Sequence, residues 1–499
     1  MSPAAGSGLI DQVAQACQLA ATVAGGRAAA EVKGIQTRLE EPLRVAIAGR
    51  VKAGKSTLLN ALIGERLAAT DAGECTRIVT WYRQGPTYGV RALLRDGSDE
   101  ELLFTRDDGV LDIDLGVLPA RDIEWLDVRW PSGRLARFTL IDTPGLESLD
   151  AERSHRTKQL LGIEEEGPSQ VDAVIYLMRH LHRSDAEFLD TFLDRSLARP
   201  SPVNAVAVLS RADEIGAGRL DALESASAIA ERYAADDRVR SLCATVLPVA
   251  GLIAETGFTL REDEVARLRE LTAMPPAGLD EMLLSVDRFC APGVSPLTSE
   301  YRRDLLLRLG LFGVRFSLRE LQTRMDCSSS QLAQRLVEAS GIERLIEMLD
   351  GHLGARSAVL KARSALSGLR SLASELEAED RAGSQNLRAA VERVEAGAHE
   401  LAELRLLHML LTGAVELAED QTEEVARLTA GGDPAERLGL PGDTGREAER
   451  TEVLRRLEDW RIRAAHPLTD RTTADACEII AQAYERLHAE LATGSTGHE

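Results

Sequence analysis

The first forty residues carry apolar side chains three or four positions apart, which is the spacing of one face of an α-helix. We expect one or two amphipathic helices here, with Gly25 and Gly26 as the candidate interruption. The residues of this apolar face are Leu9, Val13, Cys17, Ala20, Val23, Val32, Ile35 and Leu39.

The pattern changes at Leu43 to short, continuous apolar runs separated by helical stretches. The first run, Leu43–Gly49, ends in glycine and is typical of a strand buried in a parallel sheet. Strands that alternate with helices predict an α/β fold with a doubly wound, mostly parallel sheet. The other strand candidates span residues 77–83, 90–95, 126–130, 138–141, 173–178, 205–209 and 245–249.

Strand signals stop near residue 260, and helical periodicity continues to the end of the chain. We expect breaks between helices near 291–299 and near 382–384, and a flexible Gly/Pro/Asp-rich loop near 431–445. The chain therefore divides into a helical segment 1–40, an α/β domain 41–260 and a helical segment 261–499.

Composition limits the classes of partner. The 499-residue chain has a formal net charge of −21, so its overall field repels nucleic acid, and we expect no nucleic-acid partner. Its six cysteines contain no CxxC pair and the N-terminus lacks a signal-peptide pattern, which favours reduced thiols in the cytoplasm. No apolar run reaches the ~18 residues that span a bilayer, so any membrane contact would be peripheral.

One motif points to phosphate binding. Residues 49–57 fit GxxxxGK[ST], and they lie between a predicted strand and an apolar helix, which is the context that this motif requires. Backbone N–H groups of such a loop wrap phosphates, and the helix N-terminus adds positive potential. Lys55 would reach the β- and γ-phosphates as a catalytic side chain, and Ser56 would bind Mg²⁺. The nucleotide contacts predicted in this loop are Gly49, Ala53, Gly54, Lys55, Ser56 and Thr57.

A second motif, Asp-Thr-Pro-Gly, ends the strand candidate at 138–141. Asp142 would hold Mg²⁺ directly or through water, and Gly145 would offer its backbone N–H to the γ-phosphate. Between the two motifs, Thr76 is our candidate for a mobile-loop residue whose oxygen atoms meet Mg²⁺ and the attacking water. Thr70 and Thr80 are the alternatives.

The third motif selects the base. Ser210, Arg211 and Asp213 follow an apolar strand where GTP-hydrolysing proteins carry [NT]KxD. The Asp213 carboxylate would accept two N–H bonds from guanine, a donor pair that adenine lacks. Arg211 replaces lysine, but its stem and guanidinium can still lie on the base. After the last strand, the backbone N–H of Ala250 would contact guanine O6. These residues predict a GTP-binding, GTP-hydrolysing protein.

The motifs and flanking helices together resemble the dynamin superfamily, and most closely the bacterial dynamin-like proteins of the actinobacterial isoniazid-inducible type. This resemblance implies a GTPase head, a helical neck built from both ends of the chain, including the helices near 9–39 and 477–491, and a helical trunk. It also implies GTP-dependent pairing of heads, with itself or a paralogous dynamin, and peripheral contact with lipid at the inner face of the plasma membrane. The segments that carry the resemblance are 41–49 with 52–57, 75–81, 210–219, 311–315 and 463–468.

The sequence departs from eukaryotic dynamins at Val51 and Lys52, where those proteins carry Gln and Ser. Lys52 could supply positive charge to the transition state as a catalytic residue, or point to solvent or to a paired head. Two other functions stay open at this stage. One is a GTP-binding scaffold that hydrolyses poorly beside an active dynamin. The other is a ribosome-associated GTPase of the Era class, although the tail lacks the basic RNA-binding appendage that this class requires.

Overall fold

A computed structural model describes residues 7–50, 52–68, 78–107, 110–143, 171–179, 203–240, 242–293, 295–324, 326–377, 380–430 and 432–493. The chain begins with two helices, α1 (Ser7–Val23) and α2 (Gly26–Glu40). Ala24 and Gly25 separate them, as the glycine pair predicted. The apolar faces of both helices are buried.

Among the described residues, the centre of the fold is a nine-stranded sheet in the order β11-β10-β9-β1-β8-β2-β7-β3-β4. Two further strands, β5 and β6, form an antiparallel hairpin beside it. The strands are β1 (Leu43–Gly49), β2 (Val79–Gln84), β3 (Gly89–Leu94), β4 (Asp99–Glu101), β5 (Leu103–Asp107), β6 (Val110–Asp114), β7 (Ile123–Trp130), β8 (Phe138–Asp142), β9 (Ala173–Met178), β10 (Ala205–Ser210) and β11 (Val246–Val249).

The sheet is mostly parallel, as predicted. Strand β1 runs parallel to β8 and β9, and β10 runs parallel to β9 and β11. The antiparallel pairs are β2 with β8, and β3 with β7 and with β4. The carboxyl ends of β1, β8, β9, β10 and β11 therefore lie at one edge, which is where open α/β sheets bind ligands.

Three strands, β4 to β6, were not predicted. Their residues are largely polar, and β4 consists of three exposed acidic residues. Leu103 in β5 is 79% exposed. Because these strands bury few apolar side chains, they lack the alternation of apolar and polar positions on which a sequence-based prediction depends.

Helix α3 (Lys55–Ile63) follows β1, and helical structure follows every strand from β10 onward. The later helices are α4 (Ala222–Ala234), α5 (Asp237–Arg240), α6 (Gly251–Thr259), α7 (Glu262–Thr272), α8 (Pro276–Met282), α9 (Val286–Cys290), α10 (Ser299–Thr323), α11 (Ser329–Ser340), α12 (Ile342–Met348), α13 (Ser357–Leu376), α14 (Arg381–Gly397), α15 (His399–Leu411), α16 (Glu419–Thr429), α17 (Pro434–Leu438), α18 (Arg446–Ala464) and α19 (Arg471–Thr493).

The break predicted near 291–299 lies between α9 and α10. The break predicted near 382–384 lies slightly earlier, between α13 and α14, because α14 already begins at Arg381. Asp380 caps this helix, accepting a 2.9 Å hydrogen bond from the Gly383 N–H. The predicted loop near 431–445 contains the short helix α17, which begins with Pro434 after the capping residue Asp433.

The packing of the outer helices corrects another expectation. Helices α1 and α2 bury their apolar faces against α13 and α14. The segment near 477–491, which was expected to join them in a neck, instead belongs to α19 and shares a separate core with α15 to α18. Helical periodicity shows which face of a helix is buried, but it does not specify which other helices pack against that face.

The core of the sheet continues past residue 260, where the α/β domain was predicted to end. Leu268, Leu309 and Leu336, from α7, α10 and α11, belong to the same buried cluster as Ala46 and Ala207 of the sheet. The helices that directly follow the sheet therefore complete its core. Within the described residues, we find no helix with the length and apolarity needed to cross a membrane.

Candidate functional site

The turn between β1 and α3 adopts a conformation that requires glycine. Gly49, the last residue of β1, has φ of 147°. A Cβ atom on Gly49 would lie 2.6 Å from the carbonyl oxygen of Leu177 in the adjacent strand β9, which no side chain tolerates. Gly54 has φ of 92° and directly precedes α3. The predicted phosphate-binding loop thus leads from a buried strand to the first turn of a helix.

Lys55 folds back over this turn. Its Nζ donates hydrogen bonds to the carbonyl oxygens of Gly49 at 3.2 Å and Arg50 at 3.1 Å. Burial lowers the pKa of Lys55, and the nearby Asp142 carboxylate opposes this shift. The ammonium group therefore lies inside the turn, where a phosphate could replace the two carbonyl oxygens as its partner.

Ser56 and Asp142, which were predicted to bind one metal ion, lie in contact. Ser56 Oγ donates a 2.9 Å hydrogen bond to Asp142 Oδ2. Burial raises the pKa of Asp142, whereas Lys55 and the bond from Ser56 lower it. The next residue, Thr143, donates a 2.8 Å hydrogen bond to the Ile47 carbonyl and so fixes the end of β8 against β1. A hydroxyl and a carboxylate oxygen side by side fit the oxygen ligands that Mg²⁺ prefers.

The residues predicted to read the base follow β10. Ser210 is buried, and its Oγ donates a 3.2 Å hydrogen bond to the Met178 carbonyl in β9. The backbone of Arg211 has φ of 53°, which is unusual for a residue other than glycine. Its guanidinium donates a 2.6 Å hydrogen bond to Glu214 Oε1. A short 3₁₀ helix (Ala212–Ala217) then positions Asp213.

Asp213 is 6% exposed. Burial raises its pKa to about 6, and Glu214 adds to the rise, whereas the Asp213 backbone N–H and Arg211 oppose it. A carboxylate that is costly to ionise in the free protein gains most from a ligand that donates hydrogen bonds to it. Guanine, which presents two N–H donors on one edge, is such a ligand.

One cavity of about 150 Å³ joins the phosphate-binding turn to Asp213. It lies at the carboxyl-terminal edge of the sheet, between the loops that follow β1, β10 and β11. The lining includes residues of both predicted motifs, so the structure brings them to one place. These lining residues are Ala53, Gly54, Thr57, Leu58, Leu177, Val208, Ser210, Arg211, Asp213, Glu214, Val249, Gly251 and Leu252.

The structure does not support the role predicted for Ala250. Its backbone N–H donates a 2.9 Å hydrogen bond to the Ser340 carbonyl, so this N–H group is already used by the last residue of α11. Gly251 and Leu252, the first residues of α6, line the cavity instead. The sequence placed the loop correctly, but it did not reveal that a distant helix engages this N–H group.

The remaining candidates are three threonines, Gly145 and Lys52. Thr76, its alternative Thr70 and Gly145 fall outside the described residues. Thr80, the other alternative, lies in β2, and its hydroxyl donates a 3.3 Å hydrogen bond to the Ile78 carbonyl. Lys52 is exposed and has φ of 62°, so the predicted catalytic lysine is at the surface of the turn.

Asn60 in α3 is a buried polar residue that the sequence analysis missed. Its Oδ1 accepts hydrogen bonds from the N–H groups of Leu67 at 2.9 Å and Ala68 at 2.6 Å. Its amide nitrogen donates to Glu255 Oε2 in α6 at 3.1 Å. Asn60 thus ties the phosphate-binding helix to the chain that follows it and to α6. The only signal in the sequence is one polar residue within an apolar helix.

Comparisons with known proteins identify the family of this chain. A family model described as "50S ribosome-binding GTPase" matches residues 44–208, from β1 to β10. The isoniazid-induced protein IniC of Mycobacterium tuberculosis is 38% identical over 460 residues, which are 92% of this chain and 92% of that protein. The chain belongs to the IniC family of bacterial dynamin-like proteins. As a member of this family it is a GTPase that binds GTP and GDP.

Two more distant matches were found. The bacterial dynamin-like protein of Nostoc punctiforme is 31% identical over 151 residues, which are 27% of this chain and 20% of that protein. A solved chain of an oligomerised bacterial dynamin pair aligns with 98% of this chain and 76% of its own length, at 13% identity and a TM-score of 0.29.

Proposed function

We propose that this IniC-family protein binds GTP together with Mg²⁺ and hydrolyses it to GDP and phosphate at the carboxyl-terminal edge of the sheet. The observation that carries this proposal is the cavity in which the phosphate-binding turn and the buried Asp213 face each other. A turn that binds phosphates and a carboxylate that accepts guanine N–H groups together recognise both ends of one nucleotide.

In this proposal, each residue of the site has a separate role. Lys55 exchanges its bonds to the Gly49 and Arg50 carbonyls for the β- and γ-phosphates. Asp213 accepts hydrogen bonds from the base, and Arg211 covers the base with its stem. Gly145 and Thr76, which lie outside the described residues, keep their predicted roles at the γ-phosphate and at the attacking water.

Ser56 and Asp142 would hold the metal ion. The 2.9 Å contact between their oxygen atoms supports this assignment, because a cation there would meet one hydroxyl and one carboxylate oxygen. Bound Mg²⁺ supplies positive charge to the β- and γ-phosphate oxygens. A cation would also lower the pKa of Asp142, which burial raises in its absence.

Hydrolysis in this proposal is coupled to self-association. Paired heads, of this protein with itself or with a paralogous dynamin, would stimulate each other, and the protein would act in peripheral membrane remodelling or maintenance at the inner face of the plasma membrane. The support is membership of the dynamin-like family, together with the exposed Lys52 beside the phosphate-binding turn. An alternative within the same family is a scaffold that binds GTP and hydrolyses it weakly.

The test is GTP turnover per molecule, measured against protein concentration, with and without liposomes, on the full chain and on Lys55→Ala. We expect turnover that rises with concentration in the unchanged protein and is lost in Lys55→Ala, and we expect the protein to co-sediment with liposomes. Tight GTP binding with negligible turnover at every concentration would instead support the scaffold. Failure to bind GTP or GDP in magnesium buffer would refute both.

A further inference from the structure

Helix α10 bends beside the base-recognition residue. Gly310, in the middle of this helix, has φ of 65° and ψ of 175°, a combination that is essentially restricted to glycine. A Cβ atom on Gly310 would lie 3.5 Å from Asp213 Oδ2 and 3.6 Å from Leu252 Cδ2. The bend therefore brings the backbone of α10 against the carboxylate that is proposed to bind guanine.

Arg315, further along α10, holds the loop that carries Asp213. Its Nη1 donates hydrogen bonds to the carbonyl oxygens of Ala217, at 3.0 Å, and Gly218. Its Nε donates a 3.1 Å hydrogen bond to the Leu283 carbonyl at the end of α8. One guanidinium thus links the base-recognition loop to two helices that follow residue 260, with a planar set of donors that lysine lacks.

The second loop on the base side is held in a similar way. The N–H of Ala250 donates to the Ser340 carbonyl, and a Cβ atom on Gly341 would lie 2.5 Å from the Pro248 carbonyl oxygen. The phosphate side differs, because Gly49 packs against Leu177 within the sheet itself. The base half of the site therefore rests on the C-terminal helices. On the phosphate side, the turn at Gly49 packs within the sheet, and α3 is tied through Asn60 to α6.

We propose that Arg315 is a positioning residue for guanine recognition, and that through Arg315 and Gly310 the occupancy of the base site is coupled to the conformation of α10. This inference rests on the proposed function, since it assigns Asp213 to guanine. If the loop binds guanine only while α10 holds it, then by thermodynamic linkage bound guanine stabilises the bent form of α10. The segment 311–315, which the sequence analysis noted only for its family resemblance, thereby acquires a physical role.

The test separates recognition of the base from recognition of the phosphates. Dissociation constants of GDP, of inosine diphosphate, which lacks the 2-amino group, and of pyrophosphate are measured on the full chain. We expect Arg315→Ala to weaken GDP binding about tenfold, which corresponds to the loss of one or two hydrogen bonds from a charged donor. The preference for GDP over inosine diphosphate should shrink, while the pyrophosphate constant stays unchanged. Arg315→Lys, which retains charge but not the planar donors, should recover only part of the preference.

The matched control is Arg319→Ala, because Arg319 lies one turn further along α10 and is exposed. The Arg319→Ala protein should have unchanged dissociation constants for GDP, inosine diphosphate and pyrophosphate. Should Arg315→Ala fail to fold, hydrogen exchange on the unchanged protein replaces it. We expect GDP to slow exchange in both 212–218 and 310–323, and pyrophosphate to slow neither.

Three outcomes would overturn the inference. The first is Arg315→Ala with an unchanged preference for GDP, and the second is exchange in 310–323 that does not respond to GDP. The third is equal weakening of GDP and pyrophosphate binding, because that result indicates general destabilisation. An unchanged protein that bound no GDP at all would refute the proposed function itself, so the two failures are distinguishable.

Discussion

The Ser56 hydroxyl donates a 2.9 Å hydrogen bond to Asp142 Oδ2, so side chains from two motifs that lie 86 positions apart meet beside the first turn of α3. Neighbouring strands β1 and β8 produce this contact, because they run parallel and end at the same edge of the sheet. The pair is the structural basis for the magnesium dependence that we propose.

Ser56→Ala should remove most of the benefit of Mg²⁺ for GTP binding. We expect the ratio of GTP dissociation constants in EDTA and in magnesium buffer to fall at least tenfold, which is about 1.4 kcal/mol. The constant in EDTA should change little, because the phosphate-binding turn remains. Ser56→Thr keeps the hydroxyl and should keep the ratio. An Ala variant with the full magnesium effect would show that Ser56 does not bind the ion.

Asp213→Asn should change which base is accepted. The amide presents one N–H donor where the carboxylate presented only acceptors, so it fits xanthine, which has a carbonyl in place of the guanine 2-amino group. A buried unpaired donor costs about 1–3 kcal/mol, so the affinity for GDP should fall roughly 10- to 100-fold. The affinity for xanthosine diphosphate should rise.

The measurement is competition of both diphosphates against a fluorescent guanine nucleotide. Asp221→Asn provides the matched control, because Asp221 is an exposed acid whose partner is Arg219. It should leave both affinities unchanged. If Asp213→Asn bound GDP as the unchanged protein does, guanine selection would have to lie elsewhere.

The raised pKa of Asp213 predicts a pH dependence of base binding. Guanine requires the ionised carboxylate, and in the free protein this group takes up a proton near pH 6. Protonation therefore opposes binding, so GDP affinity should be level above about pH 7 and should fall by nearly tenfold per unit well below pH 6. The affinity for pyrophosphate, measured over the same range, reports the titration of the phosphates alone. Parallel loss for both ligands would contradict the assignment.

From the buried hydrogen bonds of Asn60, we expect its replacement to lower the stability of the fold rather than to act on hydrolysis directly. Asn60→Ala removes an acceptor from two buried N–H groups and a donor from Glu255, which is 2% exposed. We expect the free energy of unfolding to fall by about 2–4 kcal/mol, which urea denaturation would measure. Asn386→Ala, at an exposed position of α14, should change it by less than about 0.5 kcal/mol. Equal effects from the two variants would mean that the buried network contributes little.

The sheet and the positions of most candidate site residues could be predicted from the sequence, because both depend on local patterns. Buried parallel strands are continuous apolar runs, and Gly49, Lys55 and Ser56 lie in one short motif whose spacing follows from the turn that wraps a phosphate. Ser56 and Asp142 could be paired because parallel strands end together. These features need no knowledge of distant contacts.

The features that were missed depend on tertiary packing. The N–H of Ala250 is taken by Ser340, ninety positions along the chain, and nothing near either residue signals that bond. The helices that pack against α1 and α2 could not be predicted from the periodicity of these two helices, because any other apolar face could cover theirs. The polar hairpin of β5 and β6 lacked the alternation that marks a half-buried strand.

Lys52 is the site residue whose role depends most on a second molecule. It is exposed and has φ of 62°, so its ammonium group is in solvent and its backbone is strained. A charge screened by water contributes little to catalysis, whereas the same charge in a pairing interface from which water is excluded can contribute strongly. We therefore expect Lys52 to affect only the turnover that head pairing stimulates.

Lys52→Gly removes the charge and suits the left-handed backbone, and Lys52→Arg keeps the charge. Turnover at low protein concentration should be the same in all three proteins. At saturating concentration, Lys52→Gly should be about 10- to 100-fold slower and Lys52→Arg should stay close to the unchanged protein. If Lys52 only contacts the paired head, Lys52→Gly will reach the normal plateau at a higher concentration. A normal plateau at the normal concentration would exclude both roles.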